Sequence, residues 1–357
     1  MSDLILCLKT AVKSTKLSVH SNREQIFLNI IKHPREKLAE FSSVMDQLEF
    51  RKEIVLNELK KADVDISKIT LIACKGGVIK PMDGGVYEVN EAMLNDLSRP
   101  MADHESNLGV LIASAIVGQS GSQIQAIVVE PPSVDEMDDI AKISGIPDIS
   151  RKSILHTLSQ RTVAKSFAAA IGKEYETVNV IVAHLGIGIT IGAHRQGKIV
   201  DVNNGLAGDG AMSPQRSGSL PVGQLIRLCY SGKFTKEEMI RKVCGNGGLR
   251  AYLGTSDALT IEKRIAEGDQ KAELVYRAMA YQVAKEIASM SAVLMGEVDG
   301  IVLTGGLAYS RIIVDEISQR VKHLGQIAVY PGENEMQALA QSGYMVLRNE
   351  IDVKVYS

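Results

Sequence analysis

The sequence predicts an α/β protein made of two similar halves. Segments rich in β-branched residues alternate with segments of helical period along the whole chain. A strand-turn-strand pattern opens the chain, "LILCLKTAVKSTKLSVH", and a similar one, "VNVIVAHLGIGITIGAHRQGKIVDVNN", restarts after Gly172. At 357 residues there is length for two domains with a core each. The expected arrangement is a duplicated α/β domain around a central cleft, with the boundary near residues 170–176.

Taken in order, the opening unit is followed by a helical stretch from Arg35 to Ala62. Leu38, Phe41, Val44, Met45, Leu48, Ile54, Val55 and Leu59 fall on its successive turns. "ITLIACKGG" reads as a strand ending at glycines, and "LGVLIASAIVG" as a buried helix. "IQAIVVEPP" is a strand stopped by Pro131 and Pro132. "RKSILHTLSQRTVAKSFAAAIG" is a long helix, with Gly172 as its C-terminal cap. Three strands with tight turns come next, and the longest helix runs from Asp269 to Met295. Strand "DGIVLTGG" leads into helix "SRIIVDEISQRV", and strand "QIAVYPG" precedes a closing helix from Glu335 to Leu347. No low-complexity segment or linker interrupts this order.

Composition excludes several functions. The chain is 45% hydrophobic and 23% charged, with a formal net charge of -2 and no basic clusters, so nothing attracts DNA or RNA. An aromatic content of 4% without Trp offers no base-stacking platform. Cys7, Cys74, Cys229 and Cys244 form no CxxC pair and read as thiols of a reducing compartment. The short apolar "LILCL", followed by Lys9, Lys13 and Lys16, does not read as a secretory signal. "LGVLIASAIVG" is too short to cross a bilayer. The expectation is a cytoplasmic protein with no nucleic-acid or membrane partner.

The glycine motifs carry the chemistry. Gly186, Gly188 and Gly192 are not a dinucleotide fingerprint, since the third glycine comes one residue late and a strand follows. Gly192 to Ile199 matches GxxxxGK, but Ile199 stands where a magnesium-binding hydroxyl belongs and a strand stands where a helix should begin. A β-hairpin remains. Its glycines either present backbone N–H groups to phosphate oxygens or simply turn the chain. Spacing does not choose between these.

"RSGSLPVGQL" sets Arg216 just before a small-residue turn and a helix beginning near Gly223. A guanidinium there suits phosphoryl or carboxylate oxygens, although Arg216 alone reads as a surface ion pair. "VLTGGLAYS" sends a strand through Gly305 and Gly306 into a helix, where a nucleotide can sit or where the glycines only turn the chain. Together these features point to phosphoryl transfer. His104, His156 and His184 each also read as satisfied core histidines. No two have metal-ligand spacing, and GxSxG is absent.

The stretch "HLGIGITIGAHRQGKIVDVNNGLAGDGAMSPQRSGSLPVGQL" resembles the butyrate kinases of the acetate kinase family, within the actin-like (ribonuclease H-like) superfamily. "KGGVIKPMDGGVYEVNEAML", "HESNLG", "ISGIPDISRKSILHTLSQ" and "GNGGLRAYLGTSD" extend the likeness along the chain. The resemblance implies an N-terminal acyl-kinase domain, 1–172, completed by the C-terminal segment 335–357, and a nucleotide-binding domain, 173–334. It implies a homodimer and reversible phosphoryl transfer between ATP and a short carboxylate, with ADP and acyl phosphate as products and magnesium as the metal.

By the same resemblance Arg216 stabilises the transferred group, His184 contacts it, and His156 is a second active-site histidine. Lys75 takes a catalytic position on the acyl side, and Glu130 that of the catalytic aspartate after the "VV" strand. Ser14, Lys16, Gly186, Gly188, Asp257, Gly305 and Gly306 take nucleotide or phosphate positions. His104 and Leu155 line the acid, Leu155 standing where relatives often have Phe and so giving a roomier pocket. Glu335 is the acidic position near magnesium.

Several positions depart from the family pattern. Where relatives carry "NPGS-S-K" after the first strand, this chain has "KTAVKSTK", so Lys9 replaces Asn, Ala11 replaces Gly and Val12 replaces Ser. Lys75 replaces an arginine and cannot form its bidentate fork. Glu130 replaces an aspartate, Ala207 an acidic residue, and Ile187 the glycine between Gly186 and Gly188. Read as extended strand, Ala183, Leu185, Ile187, Ile189 and Ile191 share a core face. His184, Gly186, Gly188, Thr190 and Gly192 then share the ligand face. Read as the turn that the family places here, Ile187 instead crowds phosphate or strains the backbone. Two functional readings follow. One is a kinase of butyrate or a branched short-chain acid; the other is an impaired homologue acting as a nucleotide-binding or regulatory partner.

Overall fold

The structure, a computed structural model, describes residues 3–120 and 124–357. The strands are β1 Leu4–Ala11, β2 Ser14–Ser21, β3 Glu24–Lys32, β4 Leu71–Cys74, β5 Val86–Glu88 and β6 Gln125–Val129. They continue with β7 Asn179–Leu185, β8 Ile189–Arg195, β9 Lys198–Val202, β10 Gly300–Gly305, β11 Gln326–Pro331 and β12 Val353–Lys354. They form two mixed sheets, one ordered β12-β5-β6-β4-β1-β2-β3 and the other β11-β10-β7-β8-β9.

The two sheets repeat one plan. β1-β2-β3 and β7-β8-β9 are antiparallel meanders. β1 continues in parallel to β4 and β6, and β7 to β10 and β11. The mixed α/β fold expected from the sequence, with its repeated strand-turn-strand opening, is therefore the fold observed. β3 is an addition to the two opening strands that the sequence suggested.

The chain divides into two compact units, 1–134 with 334–357, and 135–333. The division falls at Val134, ahead of the expected 172. Residues 135–172 belong to the second unit because the helix Thr157–Ala170 packs on β7 and β10. Phe167, Ala164 and Val163 cluster there with Val180, Val182 and Val302. Gly300 has to be glycine, since a Cβ would lie 2.1 Å from Phe167 Cζ. On the sheet's other face Ile181, Ala183, Leu185, Ile301 and Leu303 meet Tyr276, Met279, Val283 and Ile287 of the helix Gln270–Val293. The period-2 alternation of β7 thus feeds two helical layers.

In the first unit, Leu6, Leu8, Ile72 and Cys74 pack against the helices Leu48–Lys61 and Ser106–Ser120 through Val55, Leu59, Leu108 and Ile112. The opposite face of the sheet receives the helix Glu335–Leu347, whose Gly343 approaches Ile5 and Leu71 so closely that a Cβ would sit at 3.0 and 3.1 Å.

Two helices start later than the sequence suggested. The stretch from Arg35 breaks after Leu38, and Ser43 and Asp46 exchange backbone-to-side-chain hydrogen bonds of 2.9 and 3.3 Å before the helix Leu48–Lys61. Such reciprocal capping starts a new helix rather than continuing an old one. Residues 151–156 are not helical, and their helix begins at Thr157. Its C-terminal glycine is in place: Gly172 has φ +72°, and the amides of Gly172 and Lys173 reach back to Ala169 and Ala168. No helix among the described residues is long and apolar enough to cross a membrane.

Candidate active site

The second unit builds its site on the β7–β8 hairpin. Leu185 pairs with Ile189, leaving Gly186, Ile187 and Gly188 as a three-residue tip closed by Gly186 N–H to Gly188 O at 3.2 Å. Ala183, Leu185, Ile189 and Ile191 enter the core as the extended reading required, but Ile187 is 48% exposed. The turn resolves the conflict, for a tip residue belongs to neither strand face. Neither tip glycine has a positive φ. Gly188 is needed for another reason: a Cβ there would lie 1.7 Å from Arg216 Nη1. The guanidinium rests directly on the hairpin backbone and donates to Gly205 O. Ser213 fixes both partners, accepting nothing from the tip but donating its hydroxyl to Ile187 O at 2.7 Å and its amide to Arg216 O at 3.0 Å.

Beside the tip stand two histidines. The rings of His156 and His184 stack with centroids 3.9 Å apart and planes at 13°. His184 Nε2 lies 3.7 Å from Glu333 Oε1, and His156 Nδ1 lies 2.9 Å from Thr190 Oγ1. The structure thus brings together Arg216, His184, His156, Gly186 and Gly188. Thr190 and Gly192, which the extended reading assigned to a ligand face, are covered. Gln160 donates to Thr190 Oγ1 at 2.8 Å, and its Oε1 would be 2.5 Å from a Cβ on Gly192. Gln160 and the buried Asn203, which holds Ile189 O and Ile191 N, were not selected from the sequence. Gln160 lies one turn beyond His156, the residue that precedes the helix Thr157–Ala170, and the place of its amide follows from that spacing.

Other expected positions in this unit have different surroundings. Asp257 caps the helix Ala258–Ala266, accepting from the amide and hydroxyl of Thr260 at 2.9 and 2.6 Å. Those bonds hold its carboxyl below the ordinary value. Gly305 has φ +89° and would drive a Cβ to 2.5 Å from Leu185 O, so it serves strand packing. Gly306 faces open space, where a ligand has room. Leu155 is buried in a small cluster with Met137, Ile199 and Val202.

The first unit gathers a different set. Glu335, at the start of the helix Glu335–Leu347, is 2% exposed. Lys75 Nζ is 2.7 Å from its Oε1, and the Lys9 ammonium takes Oε2. Burial pushes this carboxyl up, but the Lys75 and Lys9 charges outweigh it and hold the group well below its usual range. A magnesium ion takes oxygen donors and rejects ammonium neighbours. With both carboxylate oxygens engaged by cations, this donor set does not fit a divalent ion. No group of three or more His, Cys, Asp or Glu among the described residues is arranged to hold one.

Around this cluster, Lys16 pairs across from Lys9, and Ser14 from Ala11. The turn between them is clamped by Arg51, fully buried, whose guanidinium donates to Ala11 O, Val12 O and Ser14 O at 2.9, 3.2 and 3.2 Å. The sequence reading passed over Arg51, which stands mid-helix among ordinary charged residues. His104 accepts Ser106 N–H on Nδ1 at 3.2 Å, and the neighbouring Glu105 O receives the Thr10 hydroxyl at 2.5 Å. Glu130 has φ +46°, rare for a residue with a side chain and unfavourable before Pro131. Its amide is held by Gly85 O at 2.9 Å. Backbone strain of this kind concentrates at functional positions.

A mixed-sheet plan repeated in two units is that of the actin-like fold. Solved structures share this fold along nearly the whole chain. The acetate kinase of Porphyromonas gingivalis matches with a TM-score of 0.74 at 18% identity, covering 97% of this chain and 100% of that one. A propionate kinase from Francisella tularensis subsp. tularensis SCHU S4 matches with a TM-score of 0.75 at 20% identity, covering 95% and 98%. The acetate kinase of Entamoeba histolytica gives 0.73 at 17% identity, covering 96% and 99%. At these identities the likeness establishes the fold. A sequence model of the acetokinase family matches residues 148–356, more than half of the chain, and the chain belongs to that family. It is an ATP-dependent carboxylate kinase by class, passing phosphoryl between ATP and a short-chain carboxylate to form an acyl phosphate.

Proposed function

We propose that the chain is a kinase of butyrate or a branched short-chain acid, working reversibly in the cytoplasm. The observation that carries the phosphoryl-transfer part is the Arg216 guanidinium lying on the Gly186–Gly188 tip beside the stacked His156 and His184. Charge on a transferring phosphoryl group is stabilised by fixed donors that need no reorganisation. Arg216 is fixed by Gly205 O and Ser213, and the imidazoles by their stack. The open space at Gly306 suits the nucleoside. The acid class rests on the likeness of the chain's motifs to butyrate kinases, and Lys75, Glu130 and His104 are the groups assigned to it.

The test is hydroxylamine trapping of acyl phosphate formed from Mg-ATP with acetate, propionate, butyrate or isobutyrate. Butyrate or isobutyrate should be the best acceptor, and Arg216→Ala should lose on the order of 10²–10³ in rate. Acetate used equally well would refute the assigned acid, and no product from any of the acids would refute the activity.

One observation favours a second reading. Lys9 and Lys75 both lie on Glu335, so the wall expected to meet magnesium is closed by ammonium groups. In that reading the chain binds nucleotide and acts as a regulatory partner. ATP binding by calorimetry without any acyl phosphate would select it.

The homodimer is proposed as well. The helix Val222–Cys229 buries none of its residues, and Val222, Ile226 and Tyr230 are 63%, 52% and 88% exposed. An amphipathic helix with its apolar side in water calls for a covering surface, and a second copy is the one assigned. Ile226→Asp should then shift the protein from dimer to monomer in sedimentation; a wild-type monomer would rule the dimer out.

A further inference from the structure

We propose that Tyr175, His194, Gln160 and Thr190 form a buried hydrogen-bond chain of fixed direction that holds His156 in its Nε2–H tautomer. They are positioning residues for that imidazole. This rests on and deepens the proposed function, in which His156 is the second active-site histidine beside the transferred group.

The direction follows link by link from which atoms are obliged to donate. Gln160 Nε2 lies 3.1 Å from Thr190 O and 2.8 Å from Thr190 Oγ1. A backbone carbonyl only accepts, so the amide nitrogen, and not the amide oxygen, faces Thr190. Gln160 Oε1 therefore faces His194 Nε2, 2.9 Å away, and that nitrogen has to carry the proton. Burial, reinforced by the Arg161 charge, pulls His194 down to about 3, so its ring is neutral and holds one proton only. His194 Nδ1 is then an acceptor, and the Tyr175 hydroxyl 2.8 Å away is its donor.

At the other end, Thr190 Oγ1 accepts from Gln160. Among the described residues its remaining partner is His156 Nδ1 at 2.9 Å. The hydroxyl proton goes to that nitrogen, because Gln160 has no acceptor to offer on this side. His156 Nδ1 is thus an acceptor, and the ring's own proton sits on Nε2. Tyr175 is 3% exposed, and Thr190, Gln160 and His194 are fully buried, so water does not scramble the order. A neutral imidazole offers one donor and one acceptor, and only the N–H can stabilise charge growing on a phosphoryl oxygen. The stack on His184 fixes the ring plane while this chain fixes the proton.

Proton-nitrogen correlation spectra of protein labelled with nitrogen-15 histidine test this, at a mildly alkaline pH where the rings are neutral. His156→Gln and His194→Gln serve to assign the signals. The wild type should show both His156 and His194 with Nε2 protonated and Nδ1 accepting; finding either with its proton on Nδ1 overturns the proposal. Thr190→Val should give mixed His156 tautomers and Thr190→Ser should restore a single one; an unchanged tautomer in Thr190→Val also overturns it. In acyl phosphate assays Thr190→Val should lose about tenfold in kcat, about 1.4 kcal/mol, with KM little altered, and Thr190→Ser should recover it. If the spectra behave as described while the wild type forms no acyl phosphate, the hydrogen-bond chain stands and the kinase reading falls.

Discussion

Lys75 Nζ stands 2.7 Å from Glu335 Oε1, on a carboxylate that is 2% exposed and whose other oxygen is taken by Lys9. Two ammonium groups thus share one buried anion, and removing the anion strands both. Breaking a buried pair by deleting one partner costs about 3–5 kcal/mol. Glu335→Gln is expected to lose stability of that order in urea titration. A loss of less than about 1 kcal/mol would show that the cluster is solvated in solution.

The same carboxylate sets a pH dependence. Its folded value lies well below the ordinary 4.5, because the Lys75 and Lys9 charges outweigh the burial that raises it. A group depressed on folding contributes stability that is fully present above its unfolded value and is lost as pH falls through the folded one. The difference in stability between wild type and Glu335→Gln should therefore be constant above pH ~5 and shrink as pH falls below ~4.5. A difference that grew on acidification would contradict this sign.

Lys9 also decides what else Glu335 can meet. Lys9→Asn removes an ammonium and leaves an amide oxygen and a carboxylate oxygen side by side, both hard donors. This variant should gain a manganese signal in paramagnetic resonance, and a rise in Tm with added magnesium, that the wild type lacks without nucleotide. Equal binding by both proteins would mean that the lysine does not compete with metal.

Much of this was legible in the sequence. The alternation of strands and helices, the repeated meander and Gly172 depend on local periodicity and on one left-handed residue, which a sequence displays directly. His184, His156 and Arg216 were assigned to one site through the family likeness of their motifs, since only the hairpin itself is local. The Lys9–Glu335–Lys75 cluster was not legible, since it joins residues from β1, the end of β4 and the last long helix. Nor was the role of Arg51, which is set by where three turn carbonyls point. Ile187 was left open between core strand and turn because a period of two continues smoothly through a three-residue tip.

Leu155 separates packing from selectivity. It is buried with Met137, Ile199 and Val202, so Leu155→Ala opens a cavity in the second unit. Such truncations cost about 2–5 kcal/mol. Thermal or urea unfolding should show that loss, while the ratio of butyrate to acetate use stays unchanged. A changed ratio with intact stability would place the side chain against the acid instead.

The hairpin tip gives opposite expectations for adjacent residues. Ile187 is 48% exposed and touches neither core face, so Ile187→Gly should change stability by less than ~1 kcal/mol and leave kcat within about twofold. Gly188→Ala is the smaller change in volume, yet its Cβ would be built 1.7 Å from Arg216 Nη1. The guanidinium has to leave the backbone, losing its register with Gly205 O, and a displacement of about 1 Å costs on the order of 10² in rate. The fold should survive, because the strand pairing of Leu185 with Ile189 is untouched. Acyl phosphate assays beside circular dichroism melts make the comparison. Should Ile187→Gly raise activity sharply while Gly188→Ala leaves it alone, the isoleucine and not the guanidinium contact would be what limits this site.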